Sequence, residues 1–147
     1  MKAIKLNGIT KNILLGIVTT LMIFSFTSCA TKAVFSTTPV APAAEGQVKV
    51  KRDHNDNYDI KIKVTSLAEV ERLQPPKQTY VVWMVTDQDM IQNVGQLNSS
   101  KGFLSKTLNA SFETVSSSKP IEIFITAEND GSARYPSDQI VLQTNRF

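Results

Sequence analysis

Very few side chains in this sequence combine a type and a spacing that could support nucleophilic or acid–base catalysis. His54 is the only histidine and Cys29 the only cysteine among the 147 residues. A Ser-His-Asp arrangement would therefore have to use His54, which stands in the polar segment 53–57. Asp87 and Asp89 could form a carboxylate pair, but aspartates that hydrogen-bond their own backbone are common in turns. Because no nucleophile and base stand at a catalytic spacing, we predict that the protein is not an enzyme.

The same polar segment alternates oxygen-bearing side chains in the way that a calcium loop begins. Asp53, Asn55 and Asn57 occupy the first, third and fifth places of an EF-hand pattern. The sixth place, which needs glycine, is Tyr58, and the twelfth, which needs a bidentate acid, is Val64. Asp and Asn also favour turns for their own backbone reasons. The segment therefore predicts a hairpin turn rather than a metal site, and we predict no cofactor.

Two alternating segments flank this turn and would position it. Apolar and polar residues alternate over residues 47–52 and again over residues 58–67, which is typical of half-buried strands. A register that closes on the five-residue loop pairs Val50 with Ile60 and keeps all apolar side chains on one face. The sequence thus predicts a β-hairpin.

The opposite face of this hairpin is the candidate contact surface, with Lys49 placed directly across from Lys61. Like charges in such a position destabilise a sheet slightly. One reading is a solvated face whose lysines protect an edge strand; the other is contact with anionic headgroups or with an acidic partner. The solvated face is favoured, because residues 29–147 carry equal numbers of basic and acidic residues. That balance also argues against nucleic-acid binding. The lysines of this possible basic contact face are Lys49, Lys51, Lys61 and Lys63.

The second half of the chain continues with short strands and polar turns. Residues 79–86 are apolar on both faces and predict a central strand, with Trp83 in the core rather than on a sugar- or peptide-binding surface. Tyr135, beside Pro136, is the better candidate for an exposed contact.

Residues 67–73 predict one or two helical turns. Further strands are predicted over 91–97, 103–108, 111–115, 121–127 and 139–144, with turns at 98–102, 116–120 and 128–132. The fold class expected is all-β, an antiparallel immunoglobulin-like β-sandwich of seven or eight strands over residues 46–147.

The first thirty residues have the layout of an export signal. Lys2, Lys5 and Lys11 precede an apolar run over residues 13–26, and small residues follow. A permanent membrane-spanning helix needs about 20 apolar residues, so this run favours a cleaved signal peptide over an anchor.

The residues Phe26-Thr27-Ser28-Cys29 resemble the lipobox of bacterial lipoproteins, with Phe26 where leucine is usual. The resemblance implies cleavage after residue 28 and fatty-acyl chains on the thiol of Cys29, which would anchor the protein to a bacterial membrane. The alternative is an ordinary signal peptide cut near Ala30. We therefore expect a signal peptide over residues 1–28, a flexible Ala/Pro/Thr-rich tether over 29–45, and a location in the cell envelope facing the periplasm or the exterior.

The segment from residue 80 to residue 144 resembles the C-terminal extracytoplasmic domain of anti-sigma-K factors. The residues that match are Trp83, Gly95, Leu97, Thr126, Glu128, Gly131 and Pro136, and Ser132 replaces the second glycine of the late turn. The resemblance implies a β-sandwich outside the cytoplasm that senses or contacts something. Those regulators bind a sigma factor through an N-terminal cytoplasmic module. This chain has an export signal in that place, so sigma binding is not carried over.

These observations predict a lipid-anchored extracytoplasmic β-sandwich that acts as a non-enzymatic binding, sensing or envelope-structural module. The alternative is a carbohydrate-active or hydrolytic protein of the cell surface.

Overall fold

The computed structural model describes residues 30–101 and 108–147, without the side chains of residues 98–101. Every pair of neighbouring strands in these ranges is antiparallel. A single 3₁₀ turn, Val70–Arg72, follows the third strand. The nine described strands are β1 (Ala30–Thr37), β2 (Glu45–Arg52), β3 (Tyr58–Leu67), β4 (Thr79–Thr86), β5 (Ile91–Gln96), β6 (Asn98–Lys101), β7 (Leu108–Ser116), β8 (Pro120–Glu128) and β9 (Ile140–Thr144).

The strands form two packed sheets that share β1. The hydrogen-bonded order is β5-β4-β8-β9-β1-β2-β3-β7-β6. The first half of β1 pairs with β2 in the first sheet, and its second half, from Phe35, pairs with β9 in the second sheet. At the other edge the chain passes from β5 in the second sheet through Leu97 into β6 in the first. The two sheets are therefore joined by continuous chain along both edges.

The topology confirms the predicted all-β, immunoglobulin-like sandwich. The order β2-β3-β7-β6 reproduces strands A, B, E and D of that fold, and β9-β8-β4-β5 reproduces G, F, C and C′. Trp83 lies on β4, the position of strand C, but it packs on the outer side of the second sheet with Val81, Val85 and Phe124 and not in the core between the sheets. β1 is an extra strand that precedes strand A and links it to strand G.

The predicted hairpin has the register that its loop length and alternation required. Val50 pairs with Ile60, and Lys49 stands opposite Lys61. β4 is buried on both faces, as its continuous apolar sequence predicts. The predicted helical segment shortens to the 3₁₀ turn, because Leu67 completes β3.

The predicted tether over residues 29–45 is wrong from Ala30 onward. Residues 30–37 form β1, and Ala44, in the connection that follows, is fully buried. The Thr38 hydroxyl lies 2.8 and 2.9 Å from the carbonyl oxygens of Ile140 and Val141, which fixes the end of β1 to β9. The segment looked unstructured because its partners are a strand that follows it and a strand about a hundred residues later, so no local period marks it. The sandwich therefore includes residues from Ala30 rather than from residue 46.

The predicted turn at residues 98–102 is also corrected. Asn98–Lys101 is the strand β6, paired with β7 from Asn98–Ser111 to Lys101–Leu108. The predicted strand over residues 103–108 lies outside the described residues except for Leu108, which begins β7.

Candidate functional site

A basic surface covers the outer side of the first sheet. Lys32 of β1 stands opposite Lys49 of β2, which stands opposite Lys61 of β3, and Glu113 of β7 completes this row across four strands. Alternation places the side chains of the row on the solvent side, because their neighbours Val48 and Ile62 are buried. We call this surface the lysine face; its lysines are Lys32, Lys49, Lys51, Lys61 and Lys63.

The sequence identified four of these five lysines and missed Lys32, which fell in the predicted tether. Its place in the row becomes visible only when β1 is known to pair with β2. Three lysines directly opposed on adjacent strands, which lie about 4.8 Å apart, bring their charges within about 10 Å of one another. Such a row lowers the stability of the sheet, since like charges across strands repel.

The carboxylates of this surface lie at its borders. The Glu113 carboxylate accepts a hydrogen bond from the Lys61 ammonium at 2.7 Å and raises the pKa of Lys61. Asp59 stands opposite Lys51, and Glu45 lies at the far end of β2. Between them is a shallow depression of about 320 Å³ lined by Lys32, Gln47, Lys49, Lys61 and Lys63. The centre of the lysine face is therefore positively charged, although the charges of the domain as a whole balance.

The interpretation that these lysines protect an edge strand is wrong for most of them. β2 is paired with β1 and β3, and β3 is paired with β2 and β7, so both are interior strands. Only Lys32, on the half of β1 that borders the first sheet, stands on an edge of this sheet among the described strands. Another explanation is needed for Lys49 and Lys61.

The loop that resembles the start of a calcium site is a hairpin turn, as predicted. The Asp53 carboxylate accepts hydrogen bonds from the backbone N–H groups of Asn55 and Asn57, at 2.7 and 2.8 Å. The Asn57 bond is the main cause of the lowered pKa of Asp53. His54 is exposed in this loop. Within the described ranges, His, Cys, Asp and Glu side chains do not gather in groups of three or more that could ligate a metal ion.

Asp87 and Asp89 lie in the turn after β4, at the end of the second sheet. Asp89 accepts a hydrogen bond from Arg146 at 2.9 Å, and Arg146 also lies 3.6 Å from Glu122. These side chains border a cavity of about 370 Å³ on the outer face of the second sheet. Gln143 donates to Glu122 at 2.5 Å, so the ionic groups of this cavity are paired with one another. Asp87 does not line the cavity, so the carboxylate pair that the sequence left open as a possibility is not assembled there.

Trp83 is fully buried, which confirms its prediction as a core residue. Its indole N–H donates to the Thr126 hydroxyl at 2.7 Å, and that hydroxyl donates to Glu128 at 2.5 Å. The Ser137 N–H donates to the same Glu128 oxygen at 2.7 Å. This hydrogen-bond chain ties residues 129–139 to the outer face of the second sheet, where Phe124 stacks on Trp83 with ring centroids 6.3 Å apart.

Gly95 and Tyr135 have separate local roles. Gly95 has a φ of 137°, and a Cβ there would lie 2.9 Å from the Phe112 ring, so glycine is needed where β5 approaches β7. Tyr135 is 84% exposed, as predicted for a contact residue. Trp83, Gly95, Thr126 and Glu128, which carry the resemblance to anti-sigma-K domains, thus all have structural roles.

Comparison with known proteins adds no relative to these observations. No protein-family model matches the chain, and no curated protein or solved structure shows significant similarity to it. Within residues 30–101 and 108–147, no helix is both long enough and apolar enough to span a bilayer. Cys29 and the predicted signal peptide lie outside the described residues.

Proposed function

We propose that the protein is a lipid-anchored, extracytoplasmic β-sandwich that acts as a non-enzymatic binding, sensing or envelope-structural module. The observation that carries the proposal is the sequence Phe26-Thr27-Ser28-Cys29 immediately before the first strand, which begins at Ala30. An export signal that ends at a cysteine and is followed by a folded domain is an order that suits a lipidated, exported domain.

Lipid on Cys29 would hold the sandwich directly against the membrane. Each buried methylene contributes about 0.8 kcal/mol, and one chain gives only marginal attachment, so the several chains of a bacterial lipoprotein give a stable anchor. Because β1 starts at the next residue, the domain has no long spacer to carry it away from the surface.

Mass spectrometry of the protein purified from membranes tests the anchor. We expect the N-terminal peptide to begin at Cys29 and to carry the mass of a diacylglycerol group, and we expect Cys29→Ala to abolish that mass and membrane retention. Ser28→Ala, which keeps a small residue before the cysteine, is the matched control and should leave processing intact. An unmodified thiol, or a product that starts elsewhere, contradicts the proposal.

A carbohydrate-active or hydrolytic function remains the second candidate, and the cavity beside Asp89 and Glu122 is the observation that favours it. Two carboxylates, the Gln143 amide and the apolar Phe124 surround this cavity, and such a mixture suits a sugar ring. It is the weaker candidate because Arg146 engages both carboxylates. Hydrolysis of a glycan that is lost in Glu122→Gln and kept in the exposed variant Glu71→Gln would favour it over the leading, non-enzymatic proposal.

A further inference from the structure

We infer that the lysine face docks the sandwich onto the anionic headgroups of the membrane that carries its anchor. The inference rests on the proposed function, since it needs the lipid at Cys29, and it goes further by assigning a surface and an orientation. The domain would lie with its first sheet on the bilayer and with the outer face of the second sheet turned away from it.

The first argument is the charge of the surface. Lys32, Lys49 and Lys61 stand opposite one another on three adjacent strands, and only Lys61 has a carboxylate hydrogen-bonded to it within this row. The repulsion within the row is relieved by a dense layer of negative charge, which a headgroup surface provides. Lys49 and Lys61 stand on interior strands, where they have no role in protecting an edge.

The second argument is the distance from the anchor. Lys32 follows Cys29 by three residues, which span about 10 Å of extended chain. Attraction between lysines and an anionic surface acts within about one Debye length, roughly 8–10 Å at physiological salt. Lys49 and Lys61 continue the row that Lys32 begins across the strands. The anchor would therefore bring all three lysines to a distance from the membrane surface at which this attraction acts.

The third argument is that the cluster of directly opposed lysines lies on one side of the sandwich only. The outer face of the second sheet carries Arg146, but Asp89 and Glu122 pair with it. That face is also covered in part by residues 129–139, which Glu128 holds in place. Electrostatic attraction to an anionic surface therefore selects the first sheet as the membrane-facing side.

The experiment uses the mature, lipid-bearing protein reconstituted in vesicles of neutral phosphatidylcholine, with and without anionic phosphatidylglycerol. Lysine acylation by a water-soluble reagent is mapped by mass spectrometry, with Lys77 in the β3–β4 connection as the internal reference. We expect Lys32, Lys49 and Lys63 to be labelled less than Lys77 in anionic vesicles only, and we expect 1 M salt, which shortens the Debye length to about 3 Å, to restore their labelling.

Variants make the test quantitative. The double variant Lys32→Gln/Lys49→Gln should lower the ratio of docked to undocked domain about five-fold per lysine, seen as recovered labelling of Lys63. Arg134→Gln, at an exposed site on the loop over the second sheet, removes one charge from the other side and should change nothing. Because the double variant removes opposed like charges, its melting temperature should be unchanged or higher, so lost docking would not reflect unfolding.

The outcomes separate the anchor from the docking surface. Flotation with neutral vesicles depends on the lipid alone, so its failure overturns the proposed function. Flotation without any difference in labelling between neutral and anionic vesicles overturns the docking inference and leaves the anchor standing. Protection by added inorganic polyphosphate in neutral vesicles, with none from the anionic bilayer, would also overturn it and assign the lysine face to a soluble polyanion.

Discussion

Thr126 connects a buried indole to a buried carboxylate through one hydroxyl group. It accepts the Trp83 N–H and donates to Glu128, and all three side chains are buried. Buried polar groups are costly when a partner is removed, because the remaining group has already lost its water. This chain therefore stabilises the sandwich only while all of its members are present.

Thr126→Val keeps the shape of the side chain and removes both hydrogen bonds. We expect the free energy of unfolding to fall by about 1–3 kcal/mol, since the Trp83 N–H and one Glu128 oxygen lose a partner in a dry environment. Thr65→Val, at an exposed position on β3, is the matched control and should change the stability by less than about 0.5 kcal/mol. Chemical denaturation measures both, and equal effects in the two variants would refute a role for the chain.

Asp53 gives the β2–β3 turn a dependence on pH. Hydrogen bonds from Asn57 and then Asn55 lower the pKa of its carboxyl group, so the stabilisation is present above the pKa of the unfolded chain and is lost as pH falls through the folded-state pKa. The gap in unfolding free energy between wild type and Asp53→Ala should therefore be open at neutral pH and close in acid, below about pH 4.

Asp53→Asn serves as the control for this titration because an amide oxygen can accept the same N–H groups without being protonated in this range. Its advantage over Asp53→Ala should stay constant with pH. An NMR titration of Asp53 should find its pKa below that of an aspartate in a short peptide. A normal or raised value would show that the turn does not favour the charged form.

β1 is the element whose assignment changes most between sequence and structure, and two adjacent residues test it. Phe35 is 5% exposed and Val34 is 72% exposed, at the point where the strand passes from one sheet to the other. Phe35→Ala should cost about 3–5 kcal/mol of stability through the cavity that it leaves. Val34→Ala should cost less than about 0.5 kcal/mol. In a flexible tether neither substitution would lower the stability. If both variants melted at the temperature of the wild type, the tether interpretation would be correct after all.

The hairpin and β1 show what the sequence could and could not predict. The β2–β3 register followed from local information alone, because a five-residue turn and strict alternation leave one pairing that buries Val48 and Ile62 together. β1 offers weak alternation, and its partner β9 begins only at Ile140, so its pairing depends on contacts across nearly the whole chain. The sequence analysis missed Lys32 for this reason. The predicted lysine face therefore lacked the lysine that stands nearest in sequence to the predicted anchor.

Polar strands were the other source of error. Residues 98–101 contain Asn, Ser and Lys, which are frequent in turns, but they extend the chain that leaves β5 and pair with β7. A strand can be recognised from its sequence when one of its faces is apolar. When a strand is defined only by its backbone pairing with a neighbour, its polar composition predicts a turn instead. The sandwich class was still predictable, because β4 and β8 carry enough continuous apolar sequence to specify the central strands.

At the scale of the molecule, the two outer faces differ in what they offer to other molecules. Among the described residues, the first sheet presents positive charge around Lys32 and Lys49 without a bound carboxylate, whereas the second presents a cavity whose charges are paired. If the first face lies on the membrane, Tyr135 and the cavity beside Arg146 remain accessible to partners in the surrounding space. One side of the sandwich would then hold the domain in place and the other would carry any sensing or binding role.

The shared strands also predict that the molecule unfolds as one unit. Trp83, the only tryptophan of the chain, reports on the outer side of the second sheet, while far-ultraviolet circular dichroism reports on both sheets. Because β1 and the β5–β6 segment belong to both sheets, neither sheet can separate without breaking strands of the other. We therefore expect the fluorescence and dichroism transitions in urea to coincide, as two-state unfolding requires.

Phe35→Ala should shift both midpoints together, although Phe35 belongs to the core between the sheets and not to the Trp83 cluster. An earlier loss of the Trp83 signal would show instead that residues 129–139 detach before the sandwich opens.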